Sequence, residues 1–411
     1  MISRSSSLAL TLASCVLLCA IAQEPTTLPK PYATPSADNH PKVVARPAGA
    51  HLTVPPGFSI QIWDKGLLMP RFMLQGEHGE ILLADGGKDA TSAAVGQANP
   101  KTAKGTVYVY PNADSSQRRE LITGLDRPYG LALWKNYLYV AETESVKRYP
   151  YDGNSFKAGP GEEVISLKGF SKGHWTRSLL LDRAGQKLYV GVGSAENVDV
   201  GEDPRRAAIN RYNPDGSGHE LFATGTRNPV GLHWYPGTNT LWAAVQERDK
   251  LGDNLVPDYF THVQEGGFYG WPYAYAGPHP DPRIQPERQD LVAKTIAPDL
   301  LLPAHSAVLD FTFYTGTQFP AQYRNGAFLA FHGSWNRSQR TGYSVVFVPF
   351  KNGKPSSQPS DFVTGWMTSP SSKDVWGRPV AVFQMQDGSL LVSDDGGKKI
   401  WRITYGPEHK S

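Results

Sequence analysis

The sequence predicts an all-β fold, a six-bladed β-propeller of four-stranded antiparallel blades, and three observations predict it. Charged residues make up only 19% of the 411, while Gly (41) and Pro (33) are abundant, a composition poor in long helical stretches and rich in turns. A short apolar motif recurs as Ile81-Leu82-Leu83-Ala84, Leu138-Tyr139-Val140-Ala141, Leu188-Tyr189-Val190-Gly191, Leu241-Trp242-Ala243-Ala244, Phe328-Leu329-Ala330-Phe331 and Leu390-Leu391-Val392-Ser393. The strand before each copy also has a repeated start: Arg71-Phe72-Met73, Arg127-Pro128-Tyr129, Arg177-Ser178-Leu179, Arg227-Asn228-Pro229, Ser306-Ala307-Val308 and Arg378-Pro379-Val380. These starts recur at about 50–60 residues, with longer intervals after the fourth and fifth copies, as multi-strand propeller blades do.

Taken in order, the chain begins with Arg4, three serines and the apolar stretch from Leu8 to Ala22. A charged start, a short apolar body and small residues at its end predict a secretory signal peptide over residues 1–22, and hence a periplasmic or secreted protein. Leu12-Ala13-Ser14-Cys15 also has the look of a lipoprotein cleavage box, in which Cys15 would be lipidated, but the apolar run continues past it through Val16-Leu17-Leu18. No other stretch approaches the ~18 apolar residues of a spanning helix, so no membrane span is expected. Cys15 and Cys19 are the only cysteines. Their removal excludes disulfides, thiolate zinc, iron–sulfur clusters, a cysteine nucleophile and covalently attached haem. Residues 23–50 are rich in Pro, Thr and Ser and read as an extended, poorly ordered linker. The propeller then occupies residues 51–411.

Within it, five of the six apolar copies follow a turn signal, His78-Gly79, Ala184-Gly185, Pro236-Gly237, Asn325-Gly326 or Asp387-Gly388, and so read as second strands of hairpins. Phe58-Ser59-Ile60-Gln61-Ile62-Trp63 alternates like a half-buried strand and has no repeat of its own. It is expected to complete one blade with the terminal run Ile400-Trp401-Arg402-Ile403, removing the free edges of the array. Lys+Arg (41) and Asp+Glu (38) nearly balance, which gives no reason to expect nucleic acid as a partner. There is no P-loop, no dinucleotide fingerprint and no G-x-S-x-G elbow.

The first strand of a propeller blade lies innermost, so Arg71, Arg127, Arg177, Arg227 and Arg378 are expected around the channel mouth. Guanidiniums crowded on one axis repel unless an anion sits among them, and Arg suits planar carboxylates. The ring therefore points to a planar polyanion. The alternative is that each Arg caps its own blade against a carboxylate such as Asp85, Glu142 or Asp394. His174, three residues before Arg177, adds an ordinary proton acceptor, and Asn228 adds an amide. His305 and His332 fall at similar rim positions in the fifth unit and read as supporting residues or substrate contacts. The segment from Gln246 to Asp258, including Arg248 and Asp249, is dense in the oxygens that hard cations prefer; a solvated acidic loop is the other reading.

Gly173-His174-Trp175-Thr176-Arg177-Ser178-Leu179, Gly225-Thr226-Arg227-Asn228-Pro229-Val230-Gly231-Leu232, Gly266-Gly267-Phe268-Tyr269-Gly270-Trp271-Pro272, His332-Gly333-Ser334-Trp335-Asn336-Arg337 and Trp376-Gly377-Arg378-Pro379-Val380 resemble segments of the soluble quinoprotein sugar dehydrogenases, especially their sorbosone dehydrogenase-like branch. The resemblance implies a six-bladed propeller that binds pyrroloquinoline quinone (PQQ), a planar tricarboxylate, together with Ca2+. It implies His174 as the base taking the sugar hydroxyl proton during hydride transfer to the quinone, and Arg227 and Asn228 as the pair holding the quinone oxygens. Arg337 and Arg378 would meet cofactor carboxylates, Arg127 and Arg177 would complete the cofactor-binding ring, and the backbone carbonyls of Arg248 and Asp249 would hold calcium. The glucose-oxidising branch has Gly-Pro in place of Arg248-Asp249, a second arginine in place of Trp376, and a glutamine-bearing segment in place of Arg127-Pro128-Tyr129, so glucose is not assumed. The expected substrate is an aldose, sorbosone or a related aldehyde-bearing sugar. With no haem motif, electrons must leave to a separate acceptor, a cytochrome or a quinone. The rival expectation is a non-catalytic propeller that binds carbohydrate or protein. A calcium-dependent lactonase is disfavoured by the arginines at the blade starts.

Overall fold

Six sheets, each with a four-stranded antiparallel core, follow one another along the chain in a computed structural model that describes residues 27–87, 104–286 and 288–406; blades 2, 3 and 5 add a two-residue fifth strand, parallel in blade 3. Blade 1 uses Pro70–Gln75, Ile81–Asp85, Gly105–Tyr110 and Arg119–Leu125. Blade 2 uses Leu131–Trp134, Tyr137–Ala141, Ser145–Asp152 and Glu162–Ser166, and blade 3 uses Arg177–Leu181, Leu188–Val192, Ala208–Tyr212 and Glu220–Thr224. Blade 4 is Asn228–Trp234, Leu241–Gln246, Pro257–His262 and Leu300–Ala304; blade 5 is Val308–Phe313, Gly326–Phe331, Ser344–Lys351 and Ser360–Val363. The six first strands touch one another in ring order.

Blade 6 closes the ring. Its strands Pro379–Gln384, Leu390–Asp394 and Lys399–Tyr405 are completed by Phe58–Lys65, with Phe58 opposite Tyr405, Ile60 opposite Ile403 and Ile62 opposite Trp401. The expected pairing of the two ends is therefore met. The recurrent apolar motif forms the second strand of every blade, and in blades 1, 3, 5 and 6 every residue of that strand is buried. A strand with sheets packed on both faces has no polar side to show, which is why these runs read as continuous rather than alternating. Six apolar clusters fill the spaces between adjacent blades, the largest joining Phe328, Phe347 and Phe362 of blade 5 to Val382, Leu390 and Trp401 of blade 6.

The segment 1–22, and with it Cys15, lies outside the described residues. Residues 27–50 are extended, as their prolines dictate, but they are bonded to the rim rather than detached. The Tyr32 N–H donates to the Leu251 carbonyl at 2.8 Å and the Asn39 N–H to the Trp335 carbonyl at 2.8 Å. His40 stacks on Trp335 with ring centroids 4.8 Å apart and planes 6° from parallel, and Lys42–Val43 pairs in parallel with Asp374–Val375. An extended chain makes no internal ladder, so its backbone polar groups seek partners on neighbouring loops.

Phe58 anchors the closing strand edge-on against Phe319 (4.8 Å) and Phe362 (5.0 Å). Phe58→Ala is expected to cost about 3 kcal/mol, the usual loss for emptying a buried aromatic position, read as a lower urea midpoint with unchanged slope.

Candidate functional site

The loops leading into blades 3 and 4 build one side of the channel mouth. Gly173 adopts φ +76°, and a side chain there would bring its Cβ within 2.3 Å of the Ala195 carbonyl oxygen, so only glycine lets this loop approach the 194–196 turn so closely. That approach seats His174, whose Nδ1 lies 2.8 Å from the Ser194 carbonyl. A carbonyl only accepts, so Nδ1 carries the proton and Nε2 keeps its lone pair; Nε2 has no partner among the described residues. Burial, then the positive charge of Arg227, pushes the imidazole down to about 3, which keeps it neutral at ordinary pH. Asn228 faces it across Gly193, where an added Cβ would lie 2.3 Å from Asn228 Oδ1 and 2.6 Å from His174 Cβ. Asn228 Nδ2 donates to Gln246 Oε1 at 3.0 Å, while its Oδ1 is buried with no partner.

Arg227 donates to the Glu247 carbonyl (2.6 Å) and to Asn197 Oδ1 (3.1 Å), and lies 3.5 Å from Asp249 Oδ2. Asn197 is a residue that the repeat pattern did not single out. Its Oδ1 also accepts from the Asp249 N–H at 2.8 Å, and its Nδ2 donates to the Asp249 carbonyl at 3.0 Å. Arg283 Nη1 donates to that same carbonyl at 2.7 Å. Both lone pairs of the Asp249 carbonyl are thus occupied, against its expected role as a calcium ligand. The Arg248 carbonyl accepts no hydrogen bond among the described residues, and the Asp249 carboxylate is shared between His305 Nδ1 at 3.2 Å and Arg227 at 3.5 Å. These two oxygens have the hard-donor chemistry that calcium needs, and further ligands would have to come from the bound cofactor and water. Among the described residues no group of three or more His, Cys, Asp or Glu side chains is placed to hold a metal by itself. The Arg248 side chain is structural: fully buried, it pairs with Glu247 at 2.9 Å and Asp281 at 3.1 Å. His305 has both nitrogens engaged, by Asp249 and by the Gly252 carbonyl at 3.0 Å. Burial opposes its charge, but these two acceptors outweigh it and raise its pKa.

The remaining arginines divide. Arg71 and Arg127 lie over Trp175, at 5.0 and 5.3 Å from its ring centroid, and Trp175 packs on Tyr129, Val230, Leu309 and Val380, residues of blades 2, 4, 5 and 6. Arg71 pairs with Asp395 at 2.7 Å. Arg127 is 3% exposed, yet among the described residues its charged contact is Asp126 at 3.5 Å, a buried guanidinium that donates no hydrogen bond there. Arg378 donates from Nε to the His332 carbonyl at 3.2 Å, and Arg337 from Nη1 to the Asp253 carbonyl at 2.6 Å; both keep donors for a ligand. Arg177 departs from expectation. It is 0% exposed and donates to the carbonyls of Phe170, His174 and Thr176 at 2.7–2.8 Å, so it cannot line the mouth and instead fixes the His174 loop from behind. Asp85, Glu142 and Asp394 do not cap these guanidiniums either. They accept backbone N–H groups from Leu68 and Met69, from Asp126, and from Arg378 respectively, at 2.7–2.8 Å.

The mouth therefore combines a neutral histidine, an orphaned amide oxygen, a free carbonyl next in sequence to a buried aspartate, and guanidiniums with spare donors. This set fits a planar polyanion bound with a hard cation. Trp175 and Asp395 join Asn197 as site residues that sequence spacing missed. Trp175 stands in the same run as His174, whereas Asp395 had as its signal only its place beside Asp394 at the end of the sixth apolar copy.

Two outcomes are expected. Free His titrates near 6.5, while folded His174 and His332 are held near 3 and 4. Between those values the unfolded chain binds more protons, so stability falls as pH drops from about 6.5 towards 4; a His174→Gln variant should show a shallower fall in Tm. Gly193→Ala should leave Tm within a few degrees but displace His174 and Asn228, visible as altered imidazole resonances.

No helix among the described residues is long and apolar enough to cross a membrane. The sequence model of the TrAA12-like family matches residues 52–261 and 283–406. An uncharacterized protein of Borreliella burgdorferi is 28% identical over 380 residues, 88% of this chain and 93% of that one. A pyrroloquinoline quinone-dependent pyranose dehydrogenase of Coprinopsis cinerea is 24% identical over 86% of this chain but 54% of its own length, so the chain spans about half of that relative. In fold, the calcium structure of a Trichoderma reesei Carbohydrate-Active Enzymes Family AA12 protein superposes with a TM-score of 0.70 at 20% identity, covering 90% of this chain and 99% of that one. The two matched segments carry His174, Arg227, Asn228 and Asp249 in the first and His332, Arg337, Arg378 and Asp395 in the second, so the family match and the channel mouth coincide, and the chain belongs to the TrAA12-like family.

Proposed function

We propose that the protein is an exported PQQ-dependent dehydrogenase that, with Ca2+, oxidises an aldose or sorbosone-like sugar and passes the electrons to a separate cytochrome or quinone. One observation carries this reading: His174 presents an unpaired Nε2 lone pair beside Arg227 and Asn228, within a mouth whose other cations retain unspent donors. The name of the Coprinopsis relative supports the cofactor, and the charged start and apolar body of residues 1–22 support export.

When bound, PQQ supplies a two-electron acceptor that takes hydride from the sugar carbon. This chain supplies the rest. His174 Nε2 takes the proton of the hydroxyl being oxidised, so that C–H and O–H bonds break as the C=O bond of the lactone or acid product forms. The Ser194 carbonyl holds the ring in the accepting tautomer. Arg227, fixed by Glu247 and Asn197, places positive charge against ligand oxygens, an electrostatic role that gains strength in a site shielded from water. Arg127, Arg337 and Arg378 are the side chains with donors left for carboxylates. The Arg248 carbonyl and the Asp249 carboxylate would hold calcium, and an anionic ligand would supply the negative charge that Arg227 and His305 leave lacking beside Asp249.

Titration of the purified protein with PQQ and Ca2+ should give stoichiometric cofactor absorbance, and the loaded protein should reduce a dye with at least one sugar. Absence of uptake overturns the proposal; uptake without turnover on any sugar favours a carbohydrate- or protein-binding propeller. His174→Ala should keep cofactor uptake and lose about 10²–10⁴-fold in kcat, the usual contribution of a positioned base. Full activity in that variant removes His174 from the role.

A further inference from the structure

Three histidines border the mouth, and their hydrogen bonds make them chemically different. His174 has one open nitrogen and serves the reacting hydroxyl. His305 has none. His332, at the end of the blade 5 strand Gly326–Phe331, directs Nε2 at both oxygens of Asp395, 2.9 and 3.0 Å away. A carboxylate accepts, so Nε2 carries the proton and Nδ1 holds the lone pair. Nδ1 has no hydrogen-bond partner among the described residues, and it belongs to a side chain that keeps 15% exposure. The rest of the residue is fixed: its N–H donates to the Ala307 carbonyl at 3.0 Å and its carbonyl accepts from Arg378.

His332 opens onto the same mouth as His174. Asp395, its partner, pairs with Arg71; Arg71 lies over Trp175; and Trp175 is the residue after His174. The wall between the two histidines is otherwise cationic, and Arg71, Arg127 and Arg378 can only donate. A sugar hydroxyl both donates and accepts. The guanidiniums can satisfy its oxygen, but its proton needs an acceptor, and among the described residues His332 Nδ1 is, with His174 Nε2 and Asn228 Oδ1, an imidazole or amide acceptor with no partner on this wall.

We infer that His332, oriented by the Asp395–Arg71 pair, is a substrate-binding and specificity-determining residue that accepts a hydrogen bond from a second hydroxyl of the sugar, one that does not react. The inference rests on the sugar dehydrogenase reading and deepens it. A sugar able to place one hydroxyl at His174 and another at His332 is selected over an analogue lacking the second, because a site built to bond a hydroxyl is left with an unpaired acceptor when that hydroxyl is missing. Asp395 and Arg71 are positioning residues; they act through His332.

Two substitutions separate this role from a structural one. His332→Gln places an amide where Nε2 stands and retains the bond to Asp395, but offers nothing at the δ position. His332→Asn retains an acceptor at the δ position and loses the reach to Asp395. The probes are 1,5-anhydroglucitol and its galacto and manno counterparts, which lack the reactive anomeric hydroxyl, titrated calorimetrically into protein loaded with PQQ and Ca2+, with Tm recorded for each variant. The Gln variant should bind the preferred analogue about tenfold more weakly, the size of one neutral hydrogen bond, and raise KM to match with kcat within threefold. The Asn variant should bind within threefold of wild type. Any result in which the Asn variant binds no better than the Gln variant overturns the inference. If no quinone is taken up, the dehydrogenase reading falls, and the same titrations on the protein as purified still decide His332.

Discussion

Everything at the mouth depends on closure of the ring by the pairing of Phe58–Lys65 with Lys399–Tyr405. An open array would leave one blade short of a strand, with unpaired backbone groups along its edge. Closed, it brings the six first strands into mutual contact and sets the residues just before them around one axis. That geometry is why Arg71 and Asp395, more than three hundred positions apart in sequence, form an ion pair with side chains only 5% and 6% exposed. The site is a product of topology before it is a product of any one loop.

Closure also concentrates cations, and the protein handles them in three ways. Arg71 and Arg227 are matched with Asp395 and Asp249. Arg177 is surrounded by carbonyl oxygens, which stabilise a guanidinium by dipoles and leave no charge facing the channel. Arg127 is left nearly unmatched. Carboxylates at the ends of the second strands are not spent on this task, because they hold backbone N–H groups of the incoming loops. Loop geometry and charge balance are thus handled by different residues, and the incomplete balance is confined to where a ligand would sit.

The propeller was legible because burial between sheets imposes the same apolar run on every blade, and a period survives variation in the loops. The closing strand was legible because Phe58 to Trp63 alternates without belonging to a repeat. The positions of the arginines could be read, but their destinations could not: Arg177 and Arg227 begin equivalent strands, and one turns back into carbonyls while the other meets Asn197 and Asp249. These differences arise in loops with no periodic signal. For the same reason no spacing marks Asn197, and the Asp249 carbonyl expected to hold calcium accepts from Asn197 and Arg283. Composition marked residues 23–50 as extended but could not show that Asn39 and His40 would dock on Trp335.

That docking bears on how the rim and the ring come apart. Asn336 Oδ1 accepts from the Lys250 N–H at 2.7 Å, and its Nδ2 reaches back to the Ala37 carbonyl, so the loops carrying Asp249 and Arg337 are tied to each other and to the extended segment. The tie is made mainly of hydrogen bonds, several of them from the buried Arg340 to Asn39 and His40, whereas the blades are held by six apolar cores. Openings of such unequal cost occur independently, the weakly held region first. A rim tied by contacts different from those of the blades can open locally while the six cores stay packed, so exchange of its backbone amides would report on the strap and not on the stability of the whole propeller.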